Sequence, residues 1–136
     1  MKLTSQDNDL IKLARDVVDT YADDSLYTVG AALLASDGTI YTGINVFAQG
    51  GGADAEVVVL GQAISQGNKN YKTIVAVGNK ERGVIPPCGV CRQLLLDYAP
   101  DIYVITEFQG TIQKLRITEL LPKAYRSWFA QTHPLS

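Results

Sequence analysis

Hydrophobic positions along the chain switch between helical spacing and short apolar runs, and so predict both helices and strands. Apolar side chains recur at helical spacing from Leu10 to Tyr21, which predicts a first helix. The small, apolar run from Thr28 to Ala35 is typical of a strand that is buried on both faces. A Ser-Asp-Gly turn signal follows, so residues 39–46 predict the returning strand of a hairpin.

The rest of the chain continues this alternation of helical and strand patterns. Residues 54–66 predict a helix that is apolar on nearly all sides, which is typical of a buried helix. The other predicted elements are strands over 73–77, 102–106 and 111–116, a helix over 88–98 and a short helix over 118–121. Strands separated by helices predict an α/β fold with a five-stranded mixed sheet and helices on both faces. In the order α-β-β-α-β-α-β-β-α, two helix starts that each follow a strand can meet at one end of the sheet.

Length and composition indicate one globular domain over residues 1–136. The net charge of −2 offers no basic face for a nucleic acid and favours a small, weakly charged or zwitterionic substrate. Residues 1–10 lack the apolar core of a signal peptide, and no apolar run reaches membrane-spanning length. Together with only two cysteines, these features predict a cytoplasmic protein with reduced thiols and no membrane partner.

Two short segments, residues 53–56 and 86–93, carry the candidate chemistry. Cys88 and Cys91 lie about one helical turn apart at a predicted helix start, so they could hold one Zn²⁺ from the same side. Asp54 begins the other helix and could supply a carboxylate oxygen as the third ligand, which leaves the fourth tetrahedral position for water. The helix dipole and free backbone N–H groups are expected to lower the pKa of both thiols.

Glu56 follows Asp54 by two residues, which is the spacing of a general acid/base beside a metal-bound water. The metal lowers the pKa of that water, and Glu56 could carry the proton to a ring nitrogen and then to a departing amine. The pattern predicts hydrolytic deamination with Zn²⁺ as the cofactor, and it is similar to a zinc deaminase signature that has His or Cys at position 54. With Asp54, zinc should be a harder Lewis acid, and oxygen-preferring metals should compete better.

The same residues allow other interpretations. Cys88 and Cys91 could be a thiol-redox pair of the thioredoxin type. Asp54 could be only a helix N-cap, and Glu56 only a first-turn residue that the helix dipole favours. A deaminase-like protein that has lost a competent zinc site is a further alternative.

Several segments resemble the cytidine deaminase superfamily, and in particular its blasticidin S deaminase group, over nearly the whole chain. The similar segments are residues 36–38, 41–46, 55–61, 75–79, 82–83, 87–89, 91–93 and 119–122. The resemblance implies a three-layer α-β-α fold, a homotetramer and a cytosine-like nucleoside or aminopyrimidine nucleoside antibiotic as the substrate. It also implies Glu56 as the proton shuttle and zinc on Cys88 and Cys91, with Asp54 at the family's third ligand position.

The resemblance further implies contacts with the substrate. Asn45 would hydrogen-bond a sugar-like ring, and Tyr27 would stack on or wall the pyrimidine. The Pro87 carbonyl and the Ala55 N–H would bind the amine and the carbonyl of the base. Taken without the family, Asn45 could equally close a strand end, and Tyr27 is most often a core or interface aromatic residue.

Arg82 and Trp128 are implied to meet a substrate carboxylate or to close over the pocket. Without the family, a solvated loop charge and a core or interface aromatic side chain are the ordinary interpretations of these two residues. Phe47 stands where nucleoside deaminases usually carry a ribose-binding glutamate, which weakens plain cytidine as the substrate.

Overall fold

The computed structural model describes residues 1–23 and 25–126. Its elements are α1 (Ser5–Tyr21), β1 (Val29–Ala35), β2 (Ile40–Ile44), α2 (Ala55–Ser65), β3 (Tyr71–Gly78), β4 (Gly83–Val84), α3 (Gly89–Tyr98), β5 (Tyr103–Phe108), β6 (Thr111–Arg116) and α4 (Ile117–Leu120). Five strands form the sheet in the order β2-β1-β3-β5-β6, and the two-residue β4 pairs with β3 beside this path. Because β3 runs antiparallel to β1 but parallel to β5, the sheet is mixed, as predicted.

The sheet carries helices on both faces, and β1 shows how the two sides are filled. Ala32 and Leu34 pack with α1, whereas Ala31, Leu33 and Ala35 pack with α2 and α3 on the opposite face. Successive side chains of a strand point to opposite faces, so a strand covered on both sides must be apolar throughout. The predicted three-layer α-β-α fold is therefore confirmed.

Helix α2 is buried on one side only, so the prediction that it is buried all round is wrong for a single chain. Ala55, Val59 and Ala63 are fully buried against the sheet. Gly61 and Ile64 are exposed, with 41% of Ile64 accessible. The sheet can cover only the side of a helix that faces it, and the apolar residues on the other side therefore stay open to solvent.

A buried ion pair fastens the first turn of α1 to β6. The Lys114 Nζ lies 3.0 Å from Asp7 Oδ1, and the two side chains are 8% and 3% exposed. The Thr4 backbone N–H also donates to Asp7 Oδ2, at 2.9 Å. Burial by itself would raise the pKa of Asp7, but the hydrogen bonds from Thr4 and Lys114 outweigh it and hold the pKa below its usual value.

Replacing Asp7 with asparagine should lower the free energy of unfolding by about 3–5 kcal/mol at neutral pH, because Lys114 would stay buried without its partner. The folded pKa of Asp7 is the lower one, so its stabilising effect is complete above the unfolded pKa of about 3.9 and is lost as the pH falls through the folded pKa. Thermal unfolding between pH 7 and pH 2 should therefore show the two proteins converging below about pH 4. A stability difference that stays constant over that range would contradict this account of the pair.

Within residues 1–23 and 25–126, none of the helices has both the length and the apolar character that crossing a membrane requires.

Candidate active site

The first turns of α2 and α3 bring three possible metal ligands together. Asp54 Oδ2 lies 3.1 Å from Cys91 Sγ and 3.5 Å from Cys88 Sγ, and one ligand atom from each residue lies within 4.8 Å of the others. Tetrahedral zinc with Zn–S about 2.3 Å and Zn–O about 2.0–2.2 Å separates its ligand atoms by about 3.5–3.8 Å. Two thiols and one carboxylate at this spacing therefore fit a zinc ion after small adjustments.

Asp54 occupies the N-cap position of α2, but its side chain makes no capping hydrogen bond. Its backbone has the extended conformation of an N-cap residue, while its carboxylate faces the two sulfurs. The capping interpretation thus describes the position of Asp54 in the helix and not the partners of its carboxylate.

The loop before Asp54 is closed by a two-residue β-bridge. The Val46 N–H donates to the Ala53 carbonyl at 2.8 Å, and the Ala53 N–H donates to the Val46 carbonyl at 2.9 Å. At Gly52, a Cβ atom would stand only 1.9 Å from the Val46 oxygen, so no larger residue fits without moving the backbone. The glycine run at residues 50–52 therefore leads into a fixed bridge that sets the position of Asp54.

Burial raises the pKa of the Cys91 thiol, and the negative charges of Glu56 and Asp54 raise it further. This direction is opposite to the predicted lowering, because the Cys91 side chain is only 1% exposed and loses most of its hydration beside two carboxyl groups. Cys88 is exposed, and both cysteines are free thiols. Because metal ligation requires thiolates, a bound cation is what would keep Cys91 ionised in these surroundings.

Glu56 lies in the first turn of α2 and is 6% exposed. Burial raises its pKa, and the nearby charge of Asp54 acts in the same direction. The residue borders a cavity of about 240 Å³ whose lining residues are Thr28, Val29, Asn45, Asp54, Ala55, Glu56, Ile85, Pro86 and Cys88. The cavity thus joins a buried carboxyl group, two of the three possible metal ligands and room for a small molecule.

Asn45 lies in the wall of this cavity and also holds the start of β1. Its Oδ1 accepts hydrogen bonds from the backbone N–H groups of Thr28 and Val29, at 2.9 and 3.0 Å. Its Nδ2 donates to the Leu26 carbonyl at 2.9 Å. Among residues 1–23 and 25–126, the second amide hydrogen of Asn45 has no acceptor and is open to another one.

Tyr27 and Arg82 lie beside the lining residue Thr28. Tyr27 is 39% exposed and directly precedes Thr28 in the chain. Arg82 is exposed, and its Nη2 donates to the Thr28 carbonyl at 2.7 Å and to Asn79 Oδ1 at 3.0 Å. Arg82 thus fastens the end of β3 to the cavity wall. Trp128 lies outside the described residues.

Ala55 and Pro87 differ in their relation to the cavity. Ala55 is fully buried and lines it. Pro86 lines it in place of Pro87, which is buried and accepts a hydrogen bond from Arg92 Nε at 2.8 Å. A carbonyl oxygen has two lone pairs, and within the described part of the chain Arg92 is the donor to Pro87, which leaves the second acceptor position open there.

Comparison with known proteins identifies the family. Residues 4–106 match the model of the cytidine and deoxycytidylate deaminase zinc-binding region. The chain belongs to this deaminase family. It is a zinc-dependent deaminase, a hydrolase that acts on carbon–nitrogen bonds, and the thioredoxin-type alternative is not favoured.

Relatives of this deaminase include proteins with two different names. A blasticidin-S deaminase of Bacillus cereus is 35% identical over 132 residues, which cover 90% of this chain and 94% of that protein. A cytidine deaminase of Halalkalibacterium halodurans is 37% identical over 110 residues, covering 77% of this chain and 82% of the relative. The crystal structure of a cytidine deaminase from Burkholderia pseudomallei matches with a TM-score of 0.74 at 34% identity, over 87% of this chain and 98% of its own.

Three lining residues of the cavity, Thr28, Val29 and Ile85, were not predicted from the sequence, and Pro86 was predicted only as part of the segment that leads to Cys88. None of the four carries a titratable or metal-binding group, and the first three lie outside the two motif segments. Their position in the topology could have indicated them. Thr28 and Val29 stand at the start of β1, which is antiparallel to β3, so they lie at the same end of the sheet as the end of β3. Ile85 and Pro86 then lead from β4 into α3.

Proposed function

We propose that this deaminase hydrolyses a cytosine-like nucleoside or an aminopyrimidine nucleoside antibiotic and releases ammonia. The observation that carries the proposal is the convergence of Asp54, Cys88 and Cys91 on one point beside the buried Glu56, at the wall of a cavity. The first three would hold Zn²⁺. When bound, zinc supplies a nucleophilic water at neutral pH.

Glu56 is proposed to be the residue that moves the protons. Water adds to the carbon that bears the exocyclic amine, the carbon–nitrogen bond breaks, and the amine departs as ammonia. Glu56 would take one proton from the attacking water and deliver it to the ring nitrogen. It would then take the second proton from the hydroxyl group of the addition product and pass it to the amine, so that the carbonyl forms as ammonia leaves. Its burial supports this role, because a carboxyl group with a raised pKa holds a proton more readily near neutral pH.

The cavity wall supports a pyrimidine ring as the bound group. The first backbone N–H groups of a helix have no partner within the helix, so the Ala55 N–H at the start of α2 could donate to a ring carbonyl. Pro87 does not line the cavity itself, but its second carbonyl lone pair, next to the lining residues Pro86 and Cys88, could take the amine. The second amide hydrogen of Asn45 could meet a sugar-like ring. Tyr27 would pack against the pyrimidine ring. Arg82, together with Trp128, would contact a charged substituent of the substrate.

A homotetramer in the cytoplasm, with each chain forming one domain over residues 1–136, is part of the proposal. The exposed side of α2 gives the support for association, since Ile64 is 41% exposed on a helix with few polar residues. Val46 and Phe47 add apolar surface, at 52% and 54% exposure. Burying such surface against other copies would stabilise an oligomer. The two free thiols are consistent with a reducing compartment.

Metal analysis combined with an ammonia assay tests the proposal. Protein purified without chelators should contain about one zinc per chain. It should release ammonia from one or more of cytidine, deoxycytidine and blasticidin S. A zinc-loaded protein that releases none from these three compounds would overturn the assigned substrate class. Protein without zinc after purification in zinc-supplemented buffer would overturn the ligand set and favour a deaminase-like protein without a competent metal site.

A further inference from the structure

The side chain of Arg92, in the first turns of α3, connects two parts of the chain that lie far apart in sequence. Its Nε donates to the Pro87 carbonyl at 2.8 Å, and its Nη1 donates to the Leu120 carbonyl at 2.9 Å. Pro87 directly precedes the proposed ligand Cys88, and Leu120 ends α4. We propose that Arg92 is a positioning residue that holds Cys88 in place by bracing residues 86–88 against the C-terminal segment, residues 117–126.

The segment before Cys88 depends on such a side chain because its own backbone can do little to hold it. Pro86 and Pro87 have no N–H groups, so neither can donate a backbone hydrogen bond. The preceding residue, Ile85, is tied to β3 through its N–H and the Ala76 carbonyl, at 3.0 Å. Pro87 itself is buried, and a buried carbonyl without a partner is costly. Arg92 supplies that partner one residue before the ligand.

The other end of the brace is the C-terminal segment. The last carbonyls of a helix have no intrahelical partner, and Arg92 satisfies that of Leu120 at the end of the four-residue α4. The neighbouring Gln93 adds a second tie, since its Nε2 donates to the Tyr125 carbonyl at 3.0 Å. Two consecutive side chains of α3 therefore hold residues 117–126 beside the helix that carries Cys91.

A guanidinium group suits this task better than an ammonium group does. Its planar fork offers donors in fixed directions, so Nε and Nη1 reach two carbonyls at once. A lysine in the same place keeps the charge and most of the stem, but it has one nitrogen on a flexible chain. The Arg92→Lys variant therefore removes the two simultaneous hydrogen bonds but keeps the charge, whereas Arg92→Leu removes both.

The experiment measures zinc release from folded protein to a chromogenic chelator, well below the unfolding temperature of each variant. Loss of a residue that orients a ligand typically weakens metal binding by about 10-fold to 100-fold, and we expect zinc release to speed up by a similar factor in Arg92→Leu. Arg92→Lys should also release zinc faster than the parent protein. Arg116→Lys is the matched control, because Arg116 also donates to a backbone carbonyl, that of Asp101, but lies on β6, which carries no proposed ligand.

The inference rests on the proposed zinc ligands, and the design separates the two failures. Absence of zinc from the parent protein would remove the ligand set. Zinc in the parent protein, with release from folded Arg92→Lys and Arg92→Leu as slow as from the parent, would overturn the positioning role and leave Arg92 a purely structural residue. If Arg92→Leu does not fold, the rate of zinc release from Arg92→Lys, compared with that from the parent protein, decides the question alone.

Discussion

Replacing Glu56 with glutamine should reduce ammonia release by about 100-fold to 10,000-fold while zinc stays bound, because general acid–base catalysis contributes a factor of that size. Glutamine has nearly the same shape as glutamate and fits the same buried position in α2. It cannot accept a proton from water or return one to the leaving amine. Steady-state ammonia release and the zinc content of the same preparation are the two measurements.

The matched control for this variant is Glu107→Gln. Glu107 lies at the end of β5, and its carboxylate accepts a hydrogen bond from the Gly110 N–H, a contact that a glutamine oxygen can keep. Turnover in this control should equal that of the parent protein. Undiminished turnover in Glu56→Gln would remove Glu56 from the mechanism. Loss of zinc together with turnover would instead show that Glu56 supports the metal site.

The layers of the fold were predictable because they depend on periodicity and strand–helix order. Strand β1 is apolar at every position, and this pattern predicted burial on both faces before any contact was known. Strand β4 was missed because two residues are too short for a periodic pattern. The exposed side of α2 was also missed, since an apolar helix surface does not reveal whether a sheet or a second copy of the chain covers it.

The sequence predicted correctly that the three possible ligands lie close together, because their positions at helix starts can be recognised locally. Asp54 and Cys88 are both helix N-caps, and Cys91 is in the first turn after Cys88, so the convergence of two helix starts brings all three together. The direction of the Cys91 pKa shift could not be predicted from the sequence, because it depends on burial in the folded protein and on the charge of Glu56. The two acceptors of Arg92 were likewise invisible, since Leu120 is 28 residues further along the chain.

Replacing Asp54 with serine should abolish zinc binding at concentrations that saturate the parent protein. Serine is among the best N-cap residues, so the variant keeps or improves the start of α2 but removes the carboxylate that faces the two sulfurs. The loss of affinity should exceed the about 10-fold to 100-fold effect of losing an outer partner of a metal ligand. Zinc titration with a competing chelator measures it, and Asp37→Ser, at an exposed turn, is the matched control. An unchanged zinc affinity would show that the Asp54 carboxylate is not a zinc ligand.

The Asp54→Cys variant replaces the proposed oxygen ligand instead of removing it, because it supplies a third thiolate at the same position. Sulfur ligands favour zinc over oxygen-preferring ions, so this variant should bind zinc more tightly than the parent protein and should discriminate more strongly against Mn²⁺ in a competition titration. If Asp54 is a ligand as proposed, the parent protein has one oxygen donor on a residue that is exposed to solvent and should show the weaker discrimination. Equal selectivity in the two proteins would mean that the side chain at position 54 does not contact the ion in either protein, even if zinc is bound by Cys88 and Cys91.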